Sequence, residues 1–324
     1  MQRSIAQLPP GVVDYYFDGA ARRRALENEL RDEFRQQGFS EVITPTIEYF
    51  DVFERGMRPE MLNQSYRFFN RDGDLLALRA DNTCAVARLV ATKLFRAEKP
   101  LKLFYVNPVY RKENPHAGKF SEFTQAGVEF IGRNSVAADF SILQTAILTL
   151  QKIGLSDFQM NLGHVEFVNG IMSASSLTDE EKDRIRKFLA DKRLPELEDY
   201  LRSKNIPDAL FEALIAVPTL VGGEEVLSKI EWIVRKFQLQ PILQELTALY
   251  HLLKQHKMDR FITIDFGSLK GMSYYTGILF EVFTEALGFP IGNGGRYDRL
   301  LQRFGLDLPA VGFSFTLERL EAVL

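Results

Sequence analysis

The feature that most constrains the fold is a change of pattern along the chain. Short apolar or alternating runs typical of strands occur before about residue 165 and after about residue 260. Between Glu166 and Asp259 the sequence is charged, amphipathic and helical in period. This order predicts an α+β fold, an antiparallel sheet flanked by helices with a helical insertion. We therefore expect a core domain of residues 1–165 and 260–324, and an inserted helical domain of residues 166–259.

The first predicted helix lies near the N-terminus. Leu26, Leu30 and Phe34 recur at helical spacing and define one apolar face. Asp18 is the residue type that commonly caps a helix, and Gly38 is a natural stop. The pattern predicts a helix that begins after Asp18 and ends before Gly38.

Several strands and a second helix follow. The run YRFFNRDGDLLALR has two apolar segments around Asp72-Gly73, which is typical of a hairpin. LKLFYV, PVYRK and EFTQAGVEFIG are interpreted as three separate strands. Asp81 or Asn82 is expected to cap a helix. Its predicted buried stripe consists of Val86, Leu89, Val90 and Leu94.

Composition restricts the classes of function. The net charge of −3 gives no overall basic field for nucleic acid. Cys84 is the only cysteine, so no disulfide can form within the chain, and a small buried core residue is the favoured interpretation. The four histidines show no metal-ligand spacing, and no cofactor is predicted. Without a signal-peptide pattern or an apolar run of membrane-spanning length, we expect a cytoplasmic protein that binds no membrane.

The strand EFTQAGVEFIG carries the first candidate site. Its period of two places Gln125, Gly127 and Glu129 on one face. An amide and a carboxylate so placed could hold an ammonium group and a polar side chain, and Gly127 would leave room for a ligand. The alternative is an exposed polar strand face with no ligand.

A second candidate lies in YRKENPHAGKFSEF. Arg111 and Glu113 share a strand face that leads into a loop with Lys119 at its tip. Arginine binds phosphate through paired, charge-assisted hydrogen bonds, and a basic loop can fold over a nucleotide. A cross-strand ion pair followed by a solvated turn explains the same spacing, and both interpretations stay open here.

The C-terminal segments add three features. In YYTGILFEVF, Tyr275 shares a strand face with a glycine and can contact a ligand, whereas Tyr274 faces the opposite way. PIGNGGRYDRLLQRFG is counted among the strands, and the glycines that open GNGGRYDRL suit a backbone turn that closely approaches another chain or a ligand. Arg319 lies near the start of the last predicted helix, and the simple alternative is an ion pair with Glu318 or Glu321.

Taken in order, these segments resemble the catalytic core of histidyl-tRNA synthetases, which are class II aminoacyl-tRNA synthetases. EVITPTIEYF resembles the first class II motif, VYRKENPHAGKFSEFTQAGVEFIG the second and VGFSFTLERLEAVL the third. YYTGILFEVF and GGRYDRL are similar to the two histidine-specific segments. The resemblance covers nearly the whole chain and implies a class II synthetase-like fold.

The resemblance also implies roles for individual residues. Asp81, where the family usually has glutamate, and Thr83 would contact the amine of histidine. Gln125 would hold the carboxylate region, and Glu129 and Tyr275 would bind the imidazole. The implied histidine-binding set is Asp81, Thr83, Arg111, Gln125, Glu129, Lys270, Tyr274 and Tyr275, and the implied vestigial ATP site is Glu113, Lys119 and Arg319.

Two departures from the synthetase pattern bear on catalysis. Lys270 stands where the family has an arginine that contacts the carboxylate and α-phosphate. Lysine keeps the charge but loses the planar fork, and losing one such donor typically costs roughly 10²–10³ in rate. In addition, the sequence ends at Leu324, shortly after the third motif, where synthetases continue into an anticodon-binding domain. The resemblance thus implies a protein that does not bind tRNA.

This combination is similar to the regulatory subunits of ATP phosphoribosyltransferase, which are synthetase paralogues. The resemblance implies a chain with no catalytic residue of its own. It would form a class II-type dimer within a hetero-octamer, activate the short-form catalytic subunit in the first step of histidine biosynthesis, and help convey feedback inhibition by histidine. L-histidine would act either in the ancestral pocket or at a different site on the catalytic partner, and both alternatives stay open here. A truncated histidyl-tRNA synthetase-like enzyme that forms an aminoacyl-adenylate is the alternative.

Overall fold

The structure is a computed structural model that describes residues 7–57, 59–112, 120–204, 206–267 and 275–324. The α-helices in these ranges are α1 (Phe17–Gln36), α2 (Phe50–Glu54), α3 (Pro59–Asn63), α4 (Asn82–Lys93), α5 (Val136–Lys152), α6 (Val165–Ser173), α7 (Asp179–Ala190), α8 (Leu194–Arg202), α9 (Asp208–Ala216), α10 (Glu225–Lys229), α11 (Glu231–Phe237), α12 (Gln240–Gln255) and α13 (Leu317–Glu321). Short 3₁₀ helices span Val217–Thr219, Asp259–Phe261 and Leu301–Phe304.

The strands in the same ranges are short except for β5 and β6. They are β1 (Ser40–Glu41), β2 (Ile47–Tyr49), β3 (Arg67–Phe69), β4 (Leu75–Leu78), β5 (Leu101–Tyr110), β6 (Glu122–Ile131), β7 (Gln159–His164), β8 (Val221–Gly222), β9 (Ile262–Asp265), β10 (Ile278–Phe283), β11 (Gly292–Arg296) and β12 (Ala310–Thr316). None of the described helices is long and apolar enough to cross a membrane.

Internal contacts divide the chain into two compact units. The first unit holds the described residues of Met1–Asn134, Leu148–Ser156 and Asp298–Leu324. Its larger sheet has the order β1-β5-β6-β12, with β5, β6 and β12 antiparallel and β1 parallel to β5. A second, three-stranded sheet has the order β2-β4-β3. The long β5–β6 pair therefore lies at the centre of the sheet of this unit.

Helix α1 packs on the first unit by the face that its sequence predicts. Leu30 and Phe34 are completely buried, and Gly38 adopts the left-handed backbone conformation (φ +83°) that ends the helix. The predicted N-cap is wrong. The helix begins at Phe17, after Tyr16, and Asp18 lies inside the first turn. The Asp18 carboxylate in the first turn still interacts favourably with the positive end of the helix dipole.

The predicted hairpin is present as β3 and β4. The Asn70 side chain accepts hydrogen bonds from the backbone N–H groups of Asp72 (3.0 Å) and Asp74 (2.8 Å), which closes the loop. In contrast, the two strands predicted from LKLFYV and PVYRK form one continuous strand, β5. Pro108 is tolerated within it and its carbonyl oxygen accepts a hydrogen bond from Arg79 (2.8 Å).

Helix α4 begins at the predicted cap. Asp81 has an extended backbone, and its Oδ1 accepts a hydrogen bond from the backbone N–H of Cys84 at 2.8 Å. Val86 and Val90 are buried as predicted, and Cys84 is also buried. The other two residues of the predicted stripe, Leu89 and Leu94, are only half-buried.

The second unit holds Ser135–Ile147 and the described residues of Asp157–Tyr297. Its strands have the order β11-β10-β7-β9-β8, and α6 to α12 form the helical segment that the sequence predicts. GNGGR forms strand β11, which confirms the strand predicted in this segment and shows that the suggested turn is wrong. A methyl group on Gly295 would lie 2.9 Å from the Tyr275 ring, so these glycines allow close packing.

Candidate functional site

The candidate site of the first unit is built on β5, β6 and the start of α4. Its central acid, Glu129, lies on β6 opposite Leu103 of β5 and Gly312 of β12. Only 1% of Glu129 is exposed, and Gln125 is also buried. The interpretation of this strand face as an exposed polar surface is therefore wrong. Burying a carboxylate is costly unless it is hydrogen-bonded, so the groups that contact Glu129 decide what this face can do.

Tyr105 occupies the space that the sequence assigns to a ligand. It lies directly across from Gly127 in the strand register, and a methyl group on Gly127 would lie 2.6 Å from the Tyr105 hydroxyl oxygen. That hydroxyl donates a hydrogen bond to Glu129 Oε1 at 3.3 Å. Gly312 of β12, which has no side chain, leaves room for the Glu129 carboxylate. The two glycines thus make space for the Tyr105–Glu129 pair, which corrects the prediction for Gly127.

Substitution of Gly127 by alanine tests this packing. The added methyl group would meet the Phe313 carbonyl oxygen at 2.5 Å as well as Tyr105. Because neither the strand backbone nor the buried ring can move freely, we expect a loss of roughly 1–3 kcal/mol in the free energy of unfolding, measured with urea. Gly19→Ala is the control, since Gly19 in α1 has open space around it and should lose no stability. An unchanged midpoint in Gly127→Ala would contradict the packing.

Asp81, Thr83 and Arg111 lie close to this pair. Arg111 Nη2 is 3.8 Å from Asp81 Oδ2, and Arg111 Nε donates to the Ala80 carbonyl oxygen at 2.8 Å. The pKa of Tyr105 is raised well above its usual value, mainly by burial and then by the negative charges of Glu129 and Asp81. Tyr105 therefore keeps its proton and acts as a hydrogen-bond donor to Glu129.

A row of amides crosses the base of the site. Asn107 Nδ2 donates to Asn82 Oδ1 (3.3 Å), and Asn82 Nδ2 donates to Gln125 Oε1 (3.1 Å). Gln125 Nε2 then donates to Ser314 Oγ at 3.4 Å. These contacts orient the Gln125 amide. Sequence reasoning missed Tyr105, Asn82 and Asn107, because their roles depend on pairing between segments that are distant in the chain.

The cluster combines hydrogen-bond acceptors with one positively charged side chain. Two carboxylates, Asp81 and Glu129, surround the Tyr105 hydroxyl, and Arg111 lies at the rim beside Asp81. Such groups can accept hydrogen bonds from an ammonium or an imidazole and can pair with a carboxylate. Among the described residues no group of three or more histidines, cysteines and acids could hold a metal ion.

The remaining predicted residues are described within the unit to which each belongs. Tyr275 belongs to the second unit, where it is buried and its hydroxyl accepts a hydrogen bond from Asn293 Nδ2 at 3.4 Å. Arg319 lies half-buried on α13 in the first unit. The glutamates suggested as its ion-pair partners both bind Arg23 of α1, at 2.6 Å for Glu318 and 2.8 Å for Glu321. Four predicted residues, Glu113, Lys119, Lys270 and Tyr274, lie outside the described ranges.

Comparison with known proteins identifies the class. A solved structure described as an ATP phosphoribosyltransferase regulatory subunit/histidyl-tRNA synthetase from Bacillus halodurans has a TM-score of 0.92 and 30% sequence identity, covering 100% of this chain and 84% of that one. The fold is therefore that of a class II aminoacyl-tRNA synthetase-like protein, as predicted. A family profile described as histidyl-tRNA synthetase matches residues 11–320. The chain belongs to the histidyl-tRNA synthetase family.

Two relatives show which members of that family the chain resembles. An ATP phosphoribosyltransferase regulatory subunit of Thermoanaerobacter sp. (strain X514) is 39% identical over 312 residues, which are 96% of this chain and 81% of the relative. A protein with the same name from Moorella thermoacetica is 40% identical over 314 residues, 97% of this chain and 81% of that protein. The predicted resemblance to these regulatory subunits is thus confirmed.

Proposed function

We propose that this protein is a non-catalytic regulatory subunit of ATP phosphoribosyltransferase. It activates a short-form catalytic subunit in the first step of histidine biosynthesis and contributes to feedback inhibition by histidine. The observation that carries the proposal is the similarity, over 96% of the chain, to proteins named as such regulatory subunits. Under this proposal the protein works in the cytoplasm.

The geometry of the site supports recognition without catalysis. Asp81, which is shorter than the glutamate of the synthetase pattern, uses Oδ1 to cap α4. Arg111, a candidate phosphate ligand by its sequence, donates through Nε to the Ala80 carbonyl oxygen. Asp81 and Arg111 thus each use part of their hydrogen-bonding capacity on the protein's own backbone. Glu129 is buried and held by Tyr105, which suits an acid that accepts a hydrogen bond from imidazole.

Self-association is part of the same proposal, as a class II-type dimer within a hetero-octamer. Apolar side chains on and beside the three-stranded sheet of the first unit are exposed, including Ile43 (79%) and Tyr49 (58%). An apolar surface of this kind favours an interface between subunits. Tyr49→Asp should therefore shift the sedimentation coefficient toward that of a monomer. Trp232→Asp, which also alters an exposed aromatic residue but on α11, serves as the control.

The decisive test mixes the purified protein with a short-form catalytic subunit. We expect formation of phosphoribosyl-ATP to rise when this protein is added and to fall again when histidine is added. We also expect no histidine-dependent exchange of pyrophosphate into ATP by this protein alone. An unchanged rate on mixing would contradict the proposal. Robust pyrophosphate exchange would instead favour the alternative, a truncated synthetase-like enzyme that forms an aminoacyl-adenylate.

A further inference from the structure

The amide side chains of the first unit's site lie on one face of its larger sheet. Asn107 of β5 is directly opposite Gln125 of β6, and Ser314 of β12 is directly opposite Gly127 of β6. Opposed residues of antiparallel strands point to the same side of a sheet, and so do residues two apart in one strand. All three polar side chains therefore share the face that carries Glu129.

Asn82 reaches this face from helix α4. It is the first residue of the helix, and it is completely buried. Its Oδ1 accepts a hydrogen bond from Asn107 Nδ2 at 3.3 Å, and its Nδ2 donates one to Gln125 Oε1 at 3.1 Å. Asn82 thus uses one end of its amide as an acceptor and the other as a donor. A neighbouring amide turned the other way would place two acceptors or two donors against each other, so Asn82 fixes the direction of the row.

The direction of the row decides which atom Gln125 offers to a ligand. Because its Oε1 accepts from Asn82, its Nε2 is the atom that donates to Ser314 Oγ, at 3.4 Å. An amide nitrogen carries two N–H groups, so Nε2 can donate to Ser314 and to a ligand at the same time. An N–H group in this place attracts a carboxylate oxygen, whereas a carbonyl oxygen would repel it. Gln125 therefore favours a ligand that carries a carboxylate.

We propose that Asn82 is a positioning residue that makes the site selective for an amino acid with a free carboxylate. Asn82 acts through Gln125, by holding the Gln125 amide with Nε2 as the donor that the ligand meets. The inference rests on the proposed binding of histidine and adds a determinant of specificity to it. Histamine, which has the imidazole and the amine of histidine but no carboxylate, gains nothing from this arrangement. The affinities of the two ligands therefore report on Asn82.

Isothermal titration with L-histidine and with histamine tests the role of Asn82. Asn82→Leu has a similar volume but neither end of the amide, so it releases Gln125 without adding a charge. We expect it to bind histidine about tenfold more weakly, as for the loss of one oriented hydrogen bond, and to bind histamine within about twofold of wild type. General damage to the site would instead weaken the binding of both ligands. Should Asn82→Leu fail to fold, Asn82→Ala gives the same comparison.

A double-mutant cycle with Gln125→Leu shows whether Asn82 acts through Gln125. Once Gln125 is replaced, Asn82→Leu should cause no further loss of histidine affinity. An equal loss in both backgrounds would overturn the proposal. Unchanged or higher histidine affinity in Asn82→Leu alone would also overturn it, because that result is expected if the row of amides runs in the opposite direction. Absence of histidine binding by the wild-type protein would contradict the histidine site as well, whereas the other two outcomes contradict only the role of Asn82.

Discussion

Glu129→Gln is expected to reduce histidine affinity by about a hundredfold, equivalent to roughly 2.7 kcal/mol. Glu129 is the buried acid of the first unit's site, and Tyr105 already donates to one of its oxygens. In the proposed complex with histidine, the Glu129 carboxylate accepts a hydrogen bond from the imidazole of the ligand in surroundings that exclude water. Glutamine keeps the shape but removes the charge and presents an N–H group where an acceptor is needed. Glu129→Gln should therefore bind histidine more weakly than the wild-type protein.

Isothermal titration with L-histidine at neutral pH measures this effect, and thermal unfolding of the free proteins separates it from damage to the fold. Glu48→Gln is the matched control, since Glu48 is a buried acid of the same unit that pairs with Arg88. Wild-type histidine affinity in Glu129→Gln, or an equal loss in Glu48→Gln, would contradict the assignment of Glu129.

Local sequence signals predicted much of the first unit. The helical spacing of Leu30 and Phe34, the residues around Asp72 and the cap at Asp81 each act within one turn or hairpin, and all are present. Such features depend on nearby residues, whose spacing is visible in the sequence. Some of the site residues that the resemblance implies also lie close together in the structure. Asp81, Thr83 and Glu129 all lie around the Tyr105 hydroxyl.

What sequence reasoning could not predict depends on partners from distant segments. The sequence of β6 alone suggests that Gly127 leaves open space beside it. In the structure, Tyr105 of the neighbouring strand β5 fills that space. The glycines of β11 suit a turn when considered alone, but they form a strand because the segment pairs with β10, where Gly295 lies opposite Leu279. Period and composition do not encode which strands pair or in what register. Long-range pairing therefore decided both corrections.

The largest expected effect on stability comes from Asp139→Ala. Asp139 of α5 and Arg296 of β11 are both almost completely buried, and Asp139 Oδ1 accepts from Arg296 Nε at 3.0 Å and Nη2 at 2.6 Å. The substitution removes the carboxylate but leaves the guanidinium charge buried. We therefore expect a loss of about 3–5 kcal/mol in the free energy of unfolding, measured by urea denaturation. By contrast, Glu198→Ala removes an exposed pair with Arg202 on α8 and should cost at most about 1 kcal/mol.

The double variant separates the cost of a buried charge from the value of the ion pair. Arg296→Met added to Asp139→Ala removes the buried guanidinium that has lost its Asp139 partner, and methionine still fills the space in which the arginine stem packs against Gly277. The double variant should therefore be more stable than Asp139→Ala alone, even though it lacks two native side chains. Equal or greater destabilisation of the double variant would show that the native pair itself supplies the stability. In that case burial of the charge would not be the dominant cost.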